Sequence, residues 1–335
     1  MDLVTGATGH IGNVLVKQLV ARGQKVRAFV MPGESLEPLK DLDVELIEGD
    51  VLDAQTLDSA FQGVENVYHL AGIISIMPGN NDMLKLVNIT GTRNIIHAAH
   101  NANIRRLIYT SSIHAIRHMP HGVTIDEKIP FDPLHVLGSY DQSKAQASLE
   151  VQQAVQAGLD AVIVCPTGII GPYDYRRSEI GQIILGCVQQ QPQVYIDGAY
   201  DFVDVRDVAQ GLIAACEKGK KGETYILSGE QVTVRRMLET VWKYTGKRFP
   251  PLRVPLSLAR FVTIFTPLYY RLLKLKPRLT PYSLETLLGN SKISHIKAQQ
   301  ELGYKPRPFS DTVADTVKWF IDNIHLFKPA ANLAK

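Results

Sequence analysis

The amino-acid sequence predicts an α/β fold: a doubly wound parallel sheet, accompanied by a smaller and mainly helical region. Three observations predict it. In the first half of the chain, short apolar runs alternate with segments whose apolar residues recur every three or four positions, which is the βαβ pattern of a parallel sheet. A glycine-rich joint, residues 6–12, connects the first apolar run to the first helical segment. After Gly171 the alternation weakens and helical patterns dominate.

The predicted strands of the first region are short apolar runs. They cover residues 2–4, 25–31, 44–48, 67–71, 106–110 and 161–165. The predicted helices of the second region cover residues 180–189, 232–245, 256–275, 294–302 and 311–323. We expect residues 202–228 to return to the first region. The chain then divides into one domain of residues 1–171 plus about 202–228, and a second of about 172–201 and 229–335.

Composition narrows the class of protein. The chain has 335 residues, 45% of them hydrophobic, which is sufficient for sizeable cores. A formal net charge of +3 and the lack of a basic arm argue against a nucleic-acid partner. Three scattered cysteines, Cys165, Cys187 and Cys216, have neither disulfide nor metal-ligand spacing and indicate a reducing compartment. Because the glycine-rich joint follows the first strand so early, we expect no signal peptide and a cytoplasmic protein.

Gly6, Gly9 and Gly12 have the spacing Gly-x-x-Gly-x-x-Gly between a predicted strand and a predicted helix. Glycines in such a joint let the backbone approach a pyrophosphate, and the helix N-terminus supplies N–H donors and a partial positive charge. The commonest dinucleotide fingerprint is spaced differently, as Gly-x-Gly-x-x-Gly. The strand–turn–helix context favours phosphate binding over a tight turn alone.

Tyr140 and Lys144 lie one turn apart on one face of a predicted helix. A free tyrosine has a pKa near ~10, which makes it a poor proton shuttle at neutral pH. We expect the Lys144 ammonium, together with the positive charge of an oxidised nicotinamide, to lower the pKa of Tyr140. Bringing that pKa close to neutrality requires roughly 4 kcal/mol of stabilisation. With the glycine-rich joint, the pair indicates hydride transfer coupled to proton transfer.

Further segments give a resemblance to a known family. In chain order they are Gly49-Asp50-Val51, His69-Leu70-Ala71-Gly72, Val87-Asn88-Ile89-Thr90-Gly91-Thr92, Tyr109-Thr110-Ser111-Ser112, Pro166-Thr167-Gly168-Ile169-Ile170-Gly171-Pro172, Phe202-Val203-Asp204-Val205-Arg206-Asp207 and Leu302-Gly303-Tyr304. With them the chain resembles the extended short-chain dehydrogenases/reductases of the NAD-dependent epimerase/dehydratase superfamily over nearly its whole length. In character it is most similar to the dihydroflavonol-reductase and 3β-hydroxysteroid-dehydrogenase branches. The resemblance implies a Rossmann-type sheet and a smaller, mainly helical substrate-binding domain.

The resemblance implies four catalytic residues: Ser112, Tyr140, Lys144 and Asn88. Ser112 would hold the reacting oxygen while Tyr140 passes the proton. Lys144 would lower the tyrosine pKa and bind the nicotinamide ribose, and Asn88 would fix the active-site helix and a water relay. For Asn88 the alternative is a helix-kink amide without a catalytic part. Ser111 is the second candidate for the serine role.

The resemblance also implies an NAD or NADP site. The implied cofactor-binding residues are Gly6, Thr8, Gly9, His10, Ile11, Gly12, Met31, Asp50, Val51, Leu70, Ala71, Gly72, Tyr140, Lys144, Pro166, Gly168 and Ile169. His10 is expected on the solvent side of the loop. The end of the second strand normally decides the cofactor form, because an acid there binds the ribose hydroxyls and an arginine binds a 2′-phosphate. Met31 does neither, and Glu34 within reach of the ribose favours NAD slightly.

Residues 240–284 are informative about the substrate, because they contain nine basic residues and no Asp or Glu. The apolar run 254–270 is too short, and too interrupted by Pro255 and Pro267, to span a membrane. We interpret it as an apolar flap beside the cleft, and predict an oxidoreductase acting on a secondary alcohol or ketone of a bulky, lipophilic small molecule. The alternatives for this region are the packed helical core of the second domain, or arginines that hold a diphosphate.

Three alternatives for function and partners stay open. The first is a nucleotide-sugar epimerase or dehydratase, which keeps its cofactor through turnover. The second is an NAD(P)-sensing regulator without turnover, which the presence of Tyr140 and Lys144 disfavours. The third is peripheral membrane contact through residues 254–278, because apolar residues flanked by cations suit an anionic interface. A homodimer also remains open.

His114, His118 and His121 have a spacing that suggests a metal site at first sight. The segment contains Pro120 and Gly122 and no carboxylate before Asp126, so we predict no metal there and a loop over the substrate mouth.

Overall fold

The structure is a computed structural model, and it describes residues 1–77, 82–246, 252–273 and 279–327. Within these ranges the chain forms twelve strands: Asp2–Thr5 (β1), Val26–Val30 (β2), Glu45–Glu48 (β3), Asn66–His69 (β4), Arg106–Thr110 (β5), Ala161–Pro166 (β6), Gly168–Ile170 (β7), Val194–Tyr195 (β8), Ala199–Asp204 (β9), Thr224–Leu227 (β10), Glu230–Thr233 (β11) and Leu252–Arg253 (β12).

The same ranges contain twelve α-helices: His10–Ala21 (α1), Ala54–Ala60 (α2), Asp82–Lys85 (α3), Thr92–Asn101 (α4), Ser139–Gln156 (α5), Glu179–Val188 (α6), Val205–Lys218 (α7), Val234–Thr245 (α8), Leu256–Leu273 (α9), Pro281–Leu288 (α10), Ile296–Leu302 (α11) and Phe309–Asp322 (α12). A π-helical turn, Leu86–Gly91, connects α3 to α4, and short 3₁₀ turns cover Glu37–Leu39, Ile113–Ala115 and Ile324–Phe327.

Seven strands form one parallel sheet in the order β10-β6-β5-β4-β1-β2-β3. Adjacent residues of β1 point to opposite faces: Leu3 packs in one apolar cluster and Val4 in the other. Helices therefore cover both faces, and the central strands are mainly apolar, with polar residues such as Asp2, Asn66 and His69 at their ends. The predicted α/β fold with a doubly wound parallel sheet is confirmed.

A second group of elements surrounds a third apolar cluster, which contains Ile184 of α6, Leu238 of α8 and Phe320 of α12. Beside it lies a three-stranded sheet in the order β11-β9-β7. The segment 202–228 ends in β10, which pairs with β6 in the large sheet. The division into two domains at the boundaries given above stays a prediction.

Several predicted boundaries were wrong by a few residues. Val232 lies in β11 rather than in a helix, because the Thr233 side chain accepts a hydrogen bond from the Arg236 N–H and thereby begins α8 at Val234. The predicted helix 256–275 is described as far as Leu273, and Leu275 lies outside the described residues. Strands β7 to β12 and helix α10 were not among the predicted elements, because strands and helices this short leave little periodicity.

Candidate active site

The sheet brings the predicted site together at the carboxyl ends of β1 and β4. These two strands are neighbours, but the chain leaves β1 toward β2 and leaves β4 toward β5, in opposite directions along the sheet. The connections therefore diverge and open a cleft, which is where open α/β sheets bind their ligands.

The glycine loop between β1 and α1 fits a pyrophosphate. Gly6 has φ +67°, and a Cβ there would lie 2.8 Å from the backbone N of Ala71. A Cβ at Gly12 would lie 2.1 Å from the Gly6 carbonyl oxygen, so the helix packs directly on the loop. Gly9 precedes α1 without a side-chain cap, and the first turn has no acidic residue. The N-terminal N–H groups of α1 thus lack side-chain acceptors and suit an anion.

His10 is not on the solvent side as predicted. His10 is half-buried, and its Nε2 lies 3.0 Å from the carbonyl oxygen of Pro172. Asn13 adds a second connection, because its Nδ2 donates to the Tyr173 carbonyl oxygen at 3.2 Å. Ile11 packs against the apolar cluster on this face of the sheet. The start of α1 is therefore bonded to the segment that follows β7.

Residues Leu70, Ala71 and Gly72 continue from β4 and line the same cleft. The Thr5 hydroxyl accepts hydrogen bonds from the N–H groups of Leu70 and Ala71, both at 3.2 Å. It also contacts Nδ1 of the buried His69 at 2.8 Å, while His69 Nε2 contacts the Thr92 hydroxyl at 3.1 Å. Burial lowers the pKa of His69 to about 3, so this imidazole is neutral and structural.

Asn88 lies in the π-helical turn and joins two parts of the site. Its Oδ1 accepts from the Ile73 N–H at 2.8 Å, and its Nδ2 donates to the Ile73 carbonyl at 2.9 Å and to the Ser143 hydroxyl at 2.9 Å. The first two bonds hold the segment after β4, and the third holds α5, the helix that carries Tyr140. Both polar atoms of the Asn88 amide thus position parts of the site. π-Helical turns are frequent at functional sites.

Ser112 and Ser111 follow β5 and have different surroundings. The Ser112 hydroxyl accepts from the His114 N–H at 3.2 Å and forms a hydrogen bond with Tyr140. The Ser111 hydroxyl instead lies 2.7 Å from the Ser148 hydroxyl, deep on α5. The geometry therefore brings Ser112, and not Ser111, to the phenol.

Burial raises the pKa of Tyr140, and the hydrogen bond from Ser112 lowers it only in part. The nearby carboxylate of Asp141 raises the pKa further. Within the protein alone, desolvation of the phenolate therefore exceeds the favourable contacts. The predicted depression of this pKa depends also on the positive charge of a bound oxidised nicotinamide and stays a prediction.

Lys144 is 6% exposed and lies one turn further along α5. Its Nζ donates to the Thr110 carbonyl at 2.8 Å and lies 5.1 Å from the centre of the Tyr109 ring. Burial lowers its pKa to about 8. A Cβ at Gly72 would lie 3.7 Å from the Nζ and 3.0 Å from Asn88 Oδ1, so the bare glycine keeps space beside the lysine.

Four residues beside Tyr140 were not among the predicted site residues. The Tyr282 hydroxyl of α10 donates to Asp141 Oδ1 at 2.5 Å, and the Tyr200 hydroxyl lies 2.6 Å from His114 Nε2. The Tyr282 ring also packs where a Cβ of Gly138 would be, at 2.7 Å. Helix α10 thereby closes over the first turn of α5. Asp141 could have been found from its position next to Tyr140 in the sequence. Tyr200 and Tyr282 could not, because they come from distant segments of the chain.

The remaining predicted cofactor residues lie at strand ends around the cleft. Asp50 Oδ1 accepts from the Leu52 N–H at 2.9 Å, and Val51 is buried against Gly91. Pro166 ends β6, and Gly168 and Ile169 belong to β7. Met31 is 45% exposed at the end of β2.

The three candidate metal histidines do not come together. His114 contacts Tyr200, His121 Nε2 lies 2.9 Å from the Leu288 carbonyl, and the His118 N–H donates to the His135 carbonyl at 2.9 Å. Among the described residues, no group of three His, Cys, Asp or Glu side chains could hold a metal ion.

A comparison with known families agrees with this geometry. The sequence model described as "NAD dependent epimerase/dehydratase family" matches residues 3–228. The chain belongs to this family. The resemblance to extended short-chain dehydrogenases/reductases is confirmed, and this family member is an oxidoreductase.

Relatives and solved structures are similar to this chain over nearly its whole length. Sterol demethylase protein B of Methylococcus capsulatus is 36% identical over 320 residues, covering 95% of this chain and 97% of that protein. A 3 beta-hydroxysteroid dehydrogenase/Delta 5-->4-isomerase of Mycobacterium tuberculosis is 29% identical over 326 residues, covering 91% and 85%. The crystal structure of gox2253 has a TM-score of 0.84 at 34% identity, covering 96% of this chain and 98% of that one.

Proposed function

We propose that this family member interconverts a secondary alcohol and a ketone on a bulky, largely apolar substrate, with NAD as the cofactor. The observation that carries the proposal is the group of Ser112, Tyr140 and Lys144, in which Ser112 and Lys144 are buried and Tyr140 is half-buried, beside an uncapped helix N-terminus that suits a pyrophosphate.

The residues have separate tasks. When bound, the nicotinamide supplies the hydride acceptor or donor. Because burial raises the pKa of Tyr140, its phenol keeps the proton at neutral pH and can donate it to a carbonyl oxygen. The Ser112 hydroxyl holds that oxygen. Lys144 would hold the ribose next to the nicotinamide, and Asn88 keeps α5 and the segment at Ile73 in register.

The substrate class rests on α9. Its small residues Ala259 and Thr263 face inward and are 1% and 3% exposed, and Ala259 packs in a small cluster with Ile196 and Leu284. Its large residues face outward: Phe261 is 61% and Phe265 57% exposed. The other exposed large apolar side chains of α9 are Leu256, Leu258, Val262, Ile264, Leu268, Tyr269 and Leu272.

An apolar face of this extent favours a lipophilic ligand or surface over solvent. The names of two relatives, a sterol demethylase protein and a hydroxysteroid dehydrogenase, agree with a lipophilic substrate. None of the described helices is long and apolar enough to cross a membrane. We therefore propose that α9 borders the substrate site and contacts a membrane surface peripherally. Lys274, Lys276 and Arg278 of the predicted basic flank lie outside the described residues.

The decisive test of the chemistry is Tyr140→Phe. We expect kcat to fall by about 10²–10⁴-fold, because the variant lacks the proton donor. Affinity for NADH, measured by fluorescence titration, should stay within about 2-fold, because the hydroxyl acts in the transition state. Tyr304→Phe is the matched control, since it removes another buried phenol, one that donates to the Ser228 carbonyl at 3.1 Å. Substantial residual turnover in Tyr140→Phe would overturn the assignment.

The substrate proposal is tested with Phe265→Ala and Tyr269→Ala. We expect KM for a sterol-like ketone to rise several-fold in both, while kcat for a small ketone stays unchanged. An unchanged KM in both variants would remove α9 from the substrate site.

Membrane contact is tested separately by sedimentation with vesicles of phosphatidylglycerol and phosphatidylcholine at low salt. We expect binding by the wild type and loss of binding in Phe261→Ser/Phe265→Ser. Leu134→Ser is the control, because Leu134 is 86% exposed on a loop outside α9. A wild-type protein that stays in the supernatant would exclude the membrane contact.

The second candidate function is a nucleotide-sugar epimerase or dehydratase. The family name and the exposed Arg260 favour it, because guanidinium groups bind diphosphates. Such an enzyme regenerates its cofactor within each cycle. Purification with NAD retained, and turnover without net NADH release, would select this candidate.

A further inference from the structure

A cavity of about 400 Å³ lies at the carboxyl ends of β1 and β2. Three separate parts of the chain contribute its polar wall: Thr8 of the glycine loop, Glu34 after β2 and Arg176 after β7. Its remaining lining residues are Ser35, Glu37, Pro38, Tyr175, Leu326 and Phe327. We call this the outer cavity.

Thr8, Glu34 and Arg176 are bonded to one another. The Thr8 hydroxyl donates to Glu34 Oε2, and the Arg176 Nη2 lies 2.6 Å from the Thr8 hydroxyl and 2.6 Å from Glu34 Oε1. Thr8 is buried, whereas the side chains of Arg176 and Glu34 are 54% and 24% exposed. The carboxylate and the guanidinium therefore both face the outer cavity and neutralise each other.

A tight turn brings Glu34 to this position. The Glu34 N–H donates to the Met31 carbonyl at 3.1 Å, and Gly33 has φ +80°. Pro32 followed by a left-handed Gly33 is the sequence of a type II turn. The turn carries the chain past Met31, which does not line the outer cavity, and returns Glu34 toward the glycine loop.

The wall holds both of the groups that distinguish NAD from NADP. A carboxylate near the adenosine ribose accepts its hydroxyl hydrogens and repels a 2′-phosphate, whereas a guanidinium binds a phosphate through two N–H donors. Here the guanidinium is already engaged by the carboxylate, and Glu37 adds a second negative charge to the wall.

We propose that Glu34 and Arg176, and not Met31, determine the cofactor form. The intact pair selects the unphosphorylated adenosine ribose of NAD, and removal of the Glu34 charge turns Arg176 into a ligand for the 2′-phosphate of NADP. This inference rests on the proposed function only in that the glycine loop must bind a dinucleotide.

The test is a double-mutant cycle, read out as dissociation constants for NADH and NADPH from fluorescence titrations. The proteins are the wild type, Glu34→Gln, Arg176→Gln and the double variant. We expect the wild type to bind NADH at least about 10-fold more tightly than NADPH, and Glu34→Gln to gain about 10-fold or more in NADPH affinity. The gain should disappear in the double variant and weaken with salt.

Glu37→Gln is the matched control, because it removes an equal charge from the same wall without touching Thr8 or Arg176. An equal NADPH gain in Glu37→Gln, or a gain that survives Arg176→Gln, would overturn the inference and leave the proposed function intact. Tighter NADPH than NADH binding by the wild type would also overturn it. A wild type that binds neither dinucleotide would refute both this inference and the proposed function.

Discussion

At the end of the cleft that holds Ser112, Tyr140 and Lys144, Ser112 and Lys144 are buried and Tyr140 is half-buried, and Lys144 donates to the backbone carbonyl of Thr110. At the outer cavity, Glu34 and Arg176 remain partly exposed and are bonded across three separate segments. The first arrangement is held by one helix and one strand end, and the second by turns and loops. If the proposals above hold, the chemistry is fixed by the sheet, while the cofactor form is set by side chains on turns and loops, which a substitution can replace.

Substitutions in the glycine loop should have the largest effect, and they separate binding from folding. A Cβ at residue 9 meets only the Gly6 carbonyl, at 3.1 Å, whereas one at residue 12 would lie 2.1 Å from the same oxygen. We expect Gly9→Val to fold but to lose NADH affinity by about 100-fold or more, because its side chain stands among the N–H groups that bind the pyrophosphate. Gly12→Val should instead fail to accumulate as folded protein. Circular dichroism and NADH titration check both, and normal NADH binding by Gly9→Val would contradict the phosphate assignment.

The serine pair should show the next largest effect. We expect Ser112→Ala to lower kcat by about 100-fold, because it loses the hydroxyl that holds the reacting oxygen. Ser111→Ala should lower kcat by less than about 10-fold, since its hydroxyl contacts Ser148 and Cys165, neither of which is a predicted catalytic residue. Steady-state kinetics of the two variants measure this difference. A larger loss of kcat in Ser111→Ala than in Ser112→Ala would assign the role to Ser111.

Substitutions at Lys144 and at the outer cavity should also differ in their effect on the free energy of unfolding. Burial lowers the pKa of Lys144 from 10.5 to about 8, so at neutral pH the folded protein holds a costly buried ammonium. We expect Lys144→Met to raise the free energy of unfolding at pH 7 by about 1–3 kcal/mol. Arg176→Gln, at a partly exposed pair, should change it by less than about 1 kcal/mol. Denaturant titrations measure both, and a destabilised Lys144→Met would show that the ammonium is stabilising.

The pH dependence of the Lys144 contribution has a definite sign. Between about pH 8 and pH 10.5 the unfolded chain keeps a proton that the folded protein has released. The wild type should therefore gain stability relative to Lys144→Met as the pH rises through this window, because stability rises where the unfolded state binds more protons. A difference that stays constant with pH would mean that Lys144 keeps an ordinary pKa.

The sequence predicted the group of Tyr140, Lys144 and the glycine loop better than it predicted the outer cavity, for a physical reason. Tyr140 and Lys144 are four residues apart on one helix, and Gly6, Gly9 and Gly12 lie in one loop, so local spacing predicted their proximity. Arg176 reaches Thr8 and Glu34 only because β7 and its following loop fold back over α1. No local pattern contains that contact. The sequence signal that was available, Pro32-Gly33 before Glu34, predicts the turn but not its partner.

The electrostatics of the site could not be predicted from the sequence either. The spacing of Tyr140 and Lys144 suggested a lowered tyrosine pKa, but the direction depends on how far the phenol is buried. Helix α10 also acts on the site from a distance in sequence, because its Tyr282 donates a hydrogen bond to Asp141, whose charge raises the pKa of Tyr140. Desolvation is a property of the packed fold and has no local signature.

The hydrogen bond from Tyr282 to Asp141 joins residues 141 positions apart in the chain. Contacts of such separation form late, because a long loop must close before they stabilise anything, and the N-terminal part of a chain leaves the ribosome first. The glycine loop, strands β1–β6 and helix α5 all precede α10. Refolding or synthesis should therefore restore dinucleotide binding before it restores turnover. Turnover would then depend on one of the last segments of the chain to be made, whereas dinucleotide binding would depend on segments that precede α10.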